Sequence, residues 1–172
     1  MDVKLIDIVD DLLKADRPLS DDTLICLYSI FNKTVFSSLQ LVDNDSISKY
    51  IFFPSNRSIY VVDGRKGTKY MCLLDANYCS CPSFGFNVLS KQDSIYCKHQ
   101  IASLIGEILI QTQSRQMNNN DNMKLEELYS RKIRVMNFMD SEYTNQIASV
   151  EALSFKTPTH PTSSRSKNNH HH

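Results

Sequence analysis

The sequence has no surplus of either charge sign. Lys plus Arg and Asp plus Glu number 19 each among 172 residues, so the formal net charge is zero. That balance argues against a chain built mainly to coat nucleic acid, because neutralising phosphates takes a basic excess. A local basic patch stays open. No apolar run approaches the roughly eighteen residues of a membrane-spanning helix. The glycine patterns of phosphate-binding loops and dinucleotide-binding turns are missing, so the chain is not expected to bind ATP itself. The N-terminus, Met1-Asp2-Val3-Lys4, carries an acid early, has no small-residue cleavage site and does not read as a signal peptide. Histidine is scarce: only His99 precedes residue 160. If that one imidazole binds a metal, no Ser/His/Asp catalytic arrangement remains.

What is present is Cys79-Ser80-Cys81, then fifteen residues, then Cys97-Lys98-His99. Three sulfurs and one imidazole make a complete tetrahedral donor set for structural zinc. A set filled by four protein ligands leaves no position for water, which argues against a catalytic ion. Five cysteines is an odd number, and their spacing suits a metal better than a disulfide framework, which points to a reducing compartment. Residues two apart on an extended strand face the same way, so Cys79 and Cys81 can share one ion. Pro82 supports extended backbone at Cys81. Residues two apart on a helix diverge by about 200°. Cys97 is therefore expected at or before a helix's first turn and His99 just inside it, with Asp93 or Ser94 as candidate cap. Cys26 and Cys72 lie in apolar patterns and read as core side chains.

The surrounding pattern is α+β. Leu5, Ile6, Val9, Leu12 and Leu13 have helical spacing. Pro18 ends that helix, and Ser20 with Asp21 and Asp22 opens a second through Leu24, Ile25, Leu27, Tyr28 and Phe31. Residues 34 to 43 fit helix or strand, with helix preferred. From 46 to 74, β-branched and aromatic runs alternate with Pro54-Ser55-Asn56 and Asp63-Gly64-Arg65-Lys66-Gly67, predicting a three-stranded antiparallel meander. The fifteen-residue loop carries Phe84, Phe86, Val88 and Leu89 and should pack back on the fold. A helix follows from Ile101 to Ile110. The expected organisation is a helical region over 1–45 and a zinc-binding domain over 46–116. A polar linker with a possible helix at 123–138 occupies 117–154, and a disordered tail spans 155–172.

The spacing CxC-x₁₅-CxH, with Ala102 three residues after the histidine, resembles the SWIM-type zinc finger. Tyr78-Cys79-Ser80-Cys81-Pro82, Phe84, Phe86, Val88-Leu89, Asp93-Ser94-Ile95 and Cys97-Lys98-His99 resemble the small SWIM-domain subunits of Shu complexes. The likeness extends upstream through Leu41-Val42-Asp43, covers about residues 1 to 115 and fades beyond 118. It implies zinc held by Cys79, Cys81, Cys97 and His99. It also implies a nuclear, non-enzymatic subunit that pairs with a RecA-like recombinase paralogue. Such a pair promotes recombinase filaments on single-stranded DNA in homologous recombination repair, with indirect or weak DNA association by this chain.

The rival expectation is an autonomous DNA-binding or chromatin-associated finger. Arg65, Lys66 and Lys69, or Arg131, Lys132 and Arg134, could then meet phosphates, and Tyr60, Tyr70 and Tyr78 could stack on bases. The ordinary readings are solvated turns, an offset charge cluster and sheet packing. Asp10, Asp11, Asp21 and Asp22 fit helix starts and polar faces better than a paired-carboxylate site. The N-terminal apolar face either docks a partner or covers the chain's own sheet.

Overall fold

The computed structural model describes residues 5–13, 19–116 and 133–154. Three helices come first: α1 (Leu5–Leu12), α2 (Asp21–Phe31) and α3 (Thr34–Asp43). Ser20 caps α2, its hydroxyl accepting from the Thr23 N–H at 3.2 Å. The helix stops at Asn32, whose φ of 51° departs from the helical path while its N–H still donates to the Tyr28 carbonyl. The meander follows as β1 (Ile47–Phe53), β2 (Arg57–Asp63) and β3 (Lys69–Leu73). Its turns sit at the punctuating residues, with positive φ at Asn56, Lys66 and Gly67.

Two further strands join the meander. β4 (Tyr78–Cys79) pairs antiparallel with β3, and β5 (Ile133–Met139) pairs parallel with β1. The sheet order is β4-β3-β2-β1-β5. Residues 133–138, expected within a helix, are therefore strand. Alternation along Ile133, Val135 and Met139 suits a sheet edge, and pairing with β1 overrides the weak helical spacing. The remainder of the expected 123–138 helix, and the 155–172 tail, lie outside the described residues.

The sheet is covered on both faces. β2 shows this directly, because Ile59, Tyr60, Val61 and Val62 are all buried in succession. On one face Ile47, Tyr60, Val62 and Cys72 meet Ile101, Ile105 and Ile108 of α4 (Lys98–Gln116), with α1, α2 and α3 completing the layer through Val9, Leu13, Leu27, Phe31, Val35 and Val42. Gly106 brings α4 close to the sheet: a Cβ there would stand 2.4 Å from Ile133 Cδ1. On the other face Phe52, Ile59, Val61 and Met71 pack on Val150, Ile147 and Tyr143 of α5 (Tyr143–Ser154). This helix was not anticipated, although Tyr143, Ile147 and Val150 stand at i, i+4 and i+7. No helix among the described residues is long and apolar enough to cross a membrane.

Polar contacts fasten the layers. Glu107 of α4 accepts from Lys49 Nζ at 2.6 Å, from the Tyr60 hydroxyl and from Gln111 Nε2. Asp63 pairs with Lys69 and with Arg134, so both of those basic side chains, considered above for phosphates, are neutralised within the sheet. Asp140 accepts from the Ser55 hydroxyl at 2.6 Å and the Ser55 N–H at 3.1 Å, tying the end of β5 to the β1–β2 turn.

Those Ser55 contacts, with Arg57 nearby, hold the Asp140 carboxyl below the usual carboxylate range. A depressed folded-state pKa stabilises above the unfolded value of about 3.9 and loses that contribution as pH falls through the folded value. Asp140→Asn should therefore melt lower than wild type at neutral pH. The gap should close as pH drops through and below about 4, which thermal melts across that range would read.

Candidate metal centre

The four residues expected to ligate come together. One ligand atom each from Cys79, Cys81, Cys97 and His99 lies within 4.8 Å of the others, and all four residues are buried. Cys97 immediately precedes α4 and His99 is its second residue, the placement that helical geometry demands.

Local structure explains how each ligand is set. Cys79 faces Cys72 across β3 and β4. Ser80 is held between strands twice, its N–H donating to the Met71 carbonyl and its hydroxyl accepting from the Met71 N–H, both at 2.9 Å. Ser154 of α5 donates to the Lys69 carbonyl and lies 3.4 Å from the Ser80 hydroxyl, so the opposite layer braces the same strand. Cys81 Sγ accepts from the Phe84 N–H at 3.3 Å. The chain then runs through a π-helical turn, Phe84–Ser90. Of the loop's apolar side chains, Phe84 is buried and Val88 packs on the core, while Phe86 and Leu89 are exposed. The loop packs back, as expected, but by half of its apolar set.

The start of α4 is capped differently from the expectation. Neither Asp93 nor Ser94 caps it; the Ser94 hydroxyl donates to the Tyr96 carbonyl. Cys97 is itself the cap position, and its N–H donates to Gln100 Oε1 at 3.0 Å. That is the reciprocal half of a capping box, with a glutamine at the third helical position. Gln100 Nε2 in turn donates to Asn77 Oδ1 at 2.7 Å, tying the helix start to the β3–β4 turn. The Cys97–Gln100 spacing was a legible signal; the Asn77 contact had none. The imidazole of His99 packs against the Tyr70 ring, with centroids 4.6 Å apart.

Two features show that this site fits zinc. His99 Nδ1 is buried with no hydrogen-bond partner, a costly state for a polar nitrogen. The three sulfurs also crowd one another. Cys81 is held far below the ordinary cysteine range, chiefly by hydrogen bonding from Cys79 and then Cys97. Cys79 is pushed far above it, chiefly by contact with Cys72, and Cys97 likewise, chiefly by contact with Cys79. By themselves the sulfurs favour one thiolate. A bound divalent cation deprotonates its thiols outright, which resolves the crowding. Zinc there would supply a fourfold link between β4 and α4.

The other cysteines divide. Cys26 is exposed on α2, not a core residue, because Leu27 and Phe31 turn inward instead. Cys72 is fully buried, with Sγ 3.4 Å from Cys79 Sγ. Tyr60, Tyr70 and Tyr78 serve packing: Tyr60 in the core, Tyr70 on His99 and Tyr78 edge-on to Phe84. Arg65 and Lys66 are exposed turn residues, and Arg131 and Lys132 lie outside the described residues.

Comparison with known proteins agrees with this centre. The SWIM zinc finger family model matches residues 60–105. The chain is 49% identical over 160 residues to a zinc finger SWIM domain-containing protein 7 homolog of Dictyostelium discoideum, spanning 92% of this chain and 89% of that protein. It is 37% identical over 116 residues to zinc finger SWIM domain-containing protein 7 of Mus musculus, 63% of this chain and 76% of that one. With the Homo sapiens protein of the same name it shares 41% identity over 91 residues, 53% and 64% of the two chains.

Cys97→Ser and His99→Ala should each lose stoichiometric zinc and unprotect residues 79–100, read by metal content and amide hydrogen exchange. Protons compete with the ion at Cys79 and Cys97, so zinc affinity should fall as pH falls, and loading should release protons, measurable calorimetrically in buffers of different ionisation enthalpy. Gly64→Ala places a Cβ 2.6 Å from Tyr70 Cε2 and should push that ring off His99. Chelator competition should then show weaker zinc binding than in wild type.

Proposed function

The chain belongs to the zinc finger SWIM domain-containing protein 7 family, and from that premise we propose that it is a non-enzymatic, zinc-stabilised subunit of a Shu-type complex. It pairs with a RecA-like recombinase paralogue, and the pair promotes recombinase filament assembly in homologous recombination repair in the nucleus. The observation that carries this reading is the closed character of the centre. All four ligand residues are buried, so the ion has no face for a substrate, and its work is to hold elements together.

An adaptor also needs a surface. The N-terminal helices divide their apolar side chains between two tasks. Val9, Leu13, Leu27 and Phe31 enter the core, while Ile8, Ile25, Tyr28 and Phe36 remain exposed. Tyr28 and Phe36 pack on each other, with centroids 5.2 Å apart, forming a tilted aromatic pair across α2 and α3. Exposed aromatic and branched side chains in one helical layer suit a protein partner. This face supports the pairing reading.

A second reading, direct contact with DNA, is favoured by one observation. A recess of about 260 Å³ between α3 and the finger is lined by Lys33, Lys98, five hydroxyl side chains, Asn87 and Cys97, and by no carboxylate. Its chemistry suits a backbone phosphate.

Capture of a RecA-like paralogue from nuclear extract, identified by mass spectrometry, tests the first reading. Wild type should retain it and Cys97→Ser should lose it. Ile25→Glu with Phe36→Glu should keep zinc and still lose the paralogue. Normal capture by metal-free protein would remove the zinc centre as organiser of the interface. Anisotropy titration of labelled oligothymidylate at low salt separates the second reading. Lys98→Ala should weaken binding and lower the salt slope by about one if the recess holds a phosphate.

A further inference from the structure

We infer that Cys72 and Cys79 form an oxidisable thiol pair, through which a hydroperoxide releases the zinc reversibly. The inference rests on the zinc centre and not on the partner reading. The two residues are direct cross-strand partners on β3 and β4. Neighbouring Ser80 and Met71 carry the backbone hydrogen bond, which makes Cys72 and Cys79 the non-hydrogen-bonded pair next to it. Such pairs bring Cα atoms to roughly 4.5 Å, inside the range of about 4.4–6.8 Å that disulfides span. Both side chains point into the same face, and their sulfurs are already 3.4 Å apart. Closing them to about 2.05 Å needs little backbone movement. No other cysteine pair in the site shares this strand-to-strand registry.

Cys72 is also the sulfur the zinc does not need. The four-residue donor set is complete without it. It is fully buried and contacts one ligand, so it stands where a resolving thiol would. Access comes from the edge. β4 is a two-residue strand at the end of the sheet, and short edge pairing opens locally at low cost.

The chemistry balances in two steps. The Cys79 thiolate attacks the outer oxygen of the hydroperoxide; the O–O bond breaks, Cys79 becomes a sulfenic acid, and the alkoxide takes a proton from water and leaves as an alcohol (water, for hydrogen peroxide). The Cys72 sulfur then attacks the sulfenic sulfur, the S–S bond forms, and the S–O bond breaks with loss of water. The Cys79 thiolate and the Cys72 thiol, whose proton leaves with the hydroxyl as water, are oxidised by two electrons in all, and one peroxide is reduced. An ion held by Cys79, Cys81, Cys97 and His99 would lose one of its four ligands, which favours its release. A dithiol reductant restores Cys79 and the site.

The test uses the full zinc-loaded chain, hydrogen peroxide as oxidant and a chromophoric chelator to follow released zinc. Cleavage before Asp75 and Asp93 places Cys72, the Cys79/Cys81 pair and Cys97 in three separate peptides, 63–74, 75–92 and 93–120. The expected result is a 63–74 to 75–92 cross-link, with fragmentation across Ser80 assigning it to Cys79. It should rise in step with zinc release and be reversed by dithiothreitol. In Cys72→Val, and in Cys72→Ser as a second variant, the cross-link is lost and dithiothreitol should restore less than half of the released zinc, because oxidation of Cys79 runs on past the sulfenic acid. Zinc release with cross-links confined to 75–92 and 93–120 would overturn the inference on wild type alone. So would full reversal in both variants, or peroxide treatment that yields no cross-link to 63–74.

Discussion

Three sulfurs and one imidazole joining the edge of a sheet to the first turn of a helix form the link on which this fold depends. β4 is two residues long, and no strand of that length holds its place by its own ladder. Its position is set by the ligand cluster, by the double contact of Ser80 with Met71 and by Ser154 reaching across from the opposite layer. Structural zinc in small fingers is typically worth about 10–16 kcal/mol. Net stability of a whole domain is about 5–15 kcal/mol. Even a fraction of that matters against so small a balance, and it helps carry a loop of fifteen residues between the two ligand pairs.

The core and the site are one construction. The buried cluster that includes Ile101, Ile105 and Ile108 also contains Cys72, Cys79, Cys81 and Cys97. The same helix thus supplies a ligand, a cap and the main apolar layer on one face of the sheet. Tyr70 and Cys72 alternate on one face of β3, one against His99 and the other against Cys79. Metal support is therefore delivered by the meander, while the residues exposed on α1, α2 and α3 stay free of that task. This separation of a closed centre from an open apolar surface is what an organising metal permits.

Much of the fold was legible. Ser20 announced a helix start through its cap chemistry, and the punctuated β-branched runs announced the meander. The helical reading of 34–43 held because α3 packs its buried Val35, Ser38 and Val42 inward. Other elements were not legible. Ile133–Met139 becomes a strand through its parallel register with β1, Ile47 beside Ile133, a partner 86 positions away that no local window contains. Cys26 and Cys72 sit in similar apolar patterns, yet one is exposed and the other buried. Helical phase decides the first and sheet register the second.

The amino-acid order alone determined the donor set, because four ligands at two short spacings are a local property and tetrahedral zinc chemistry needs nothing more. It also determined that Cys97 and His99 cannot both face one ion from inside a regular helix, since residues two apart diverge by about 200°. Only the tertiary structure decided what surrounds the donors: Tyr70 on the imidazole, Gln100 on the Cys97 amide, Asn77 on Gln100 and Cys72 against Cys79. Those contacts depend on strand register and on the docking of α4 to the sheet. Both are set by burial of apolar faces summed over the whole chain, which no short stretch of sequence encodes.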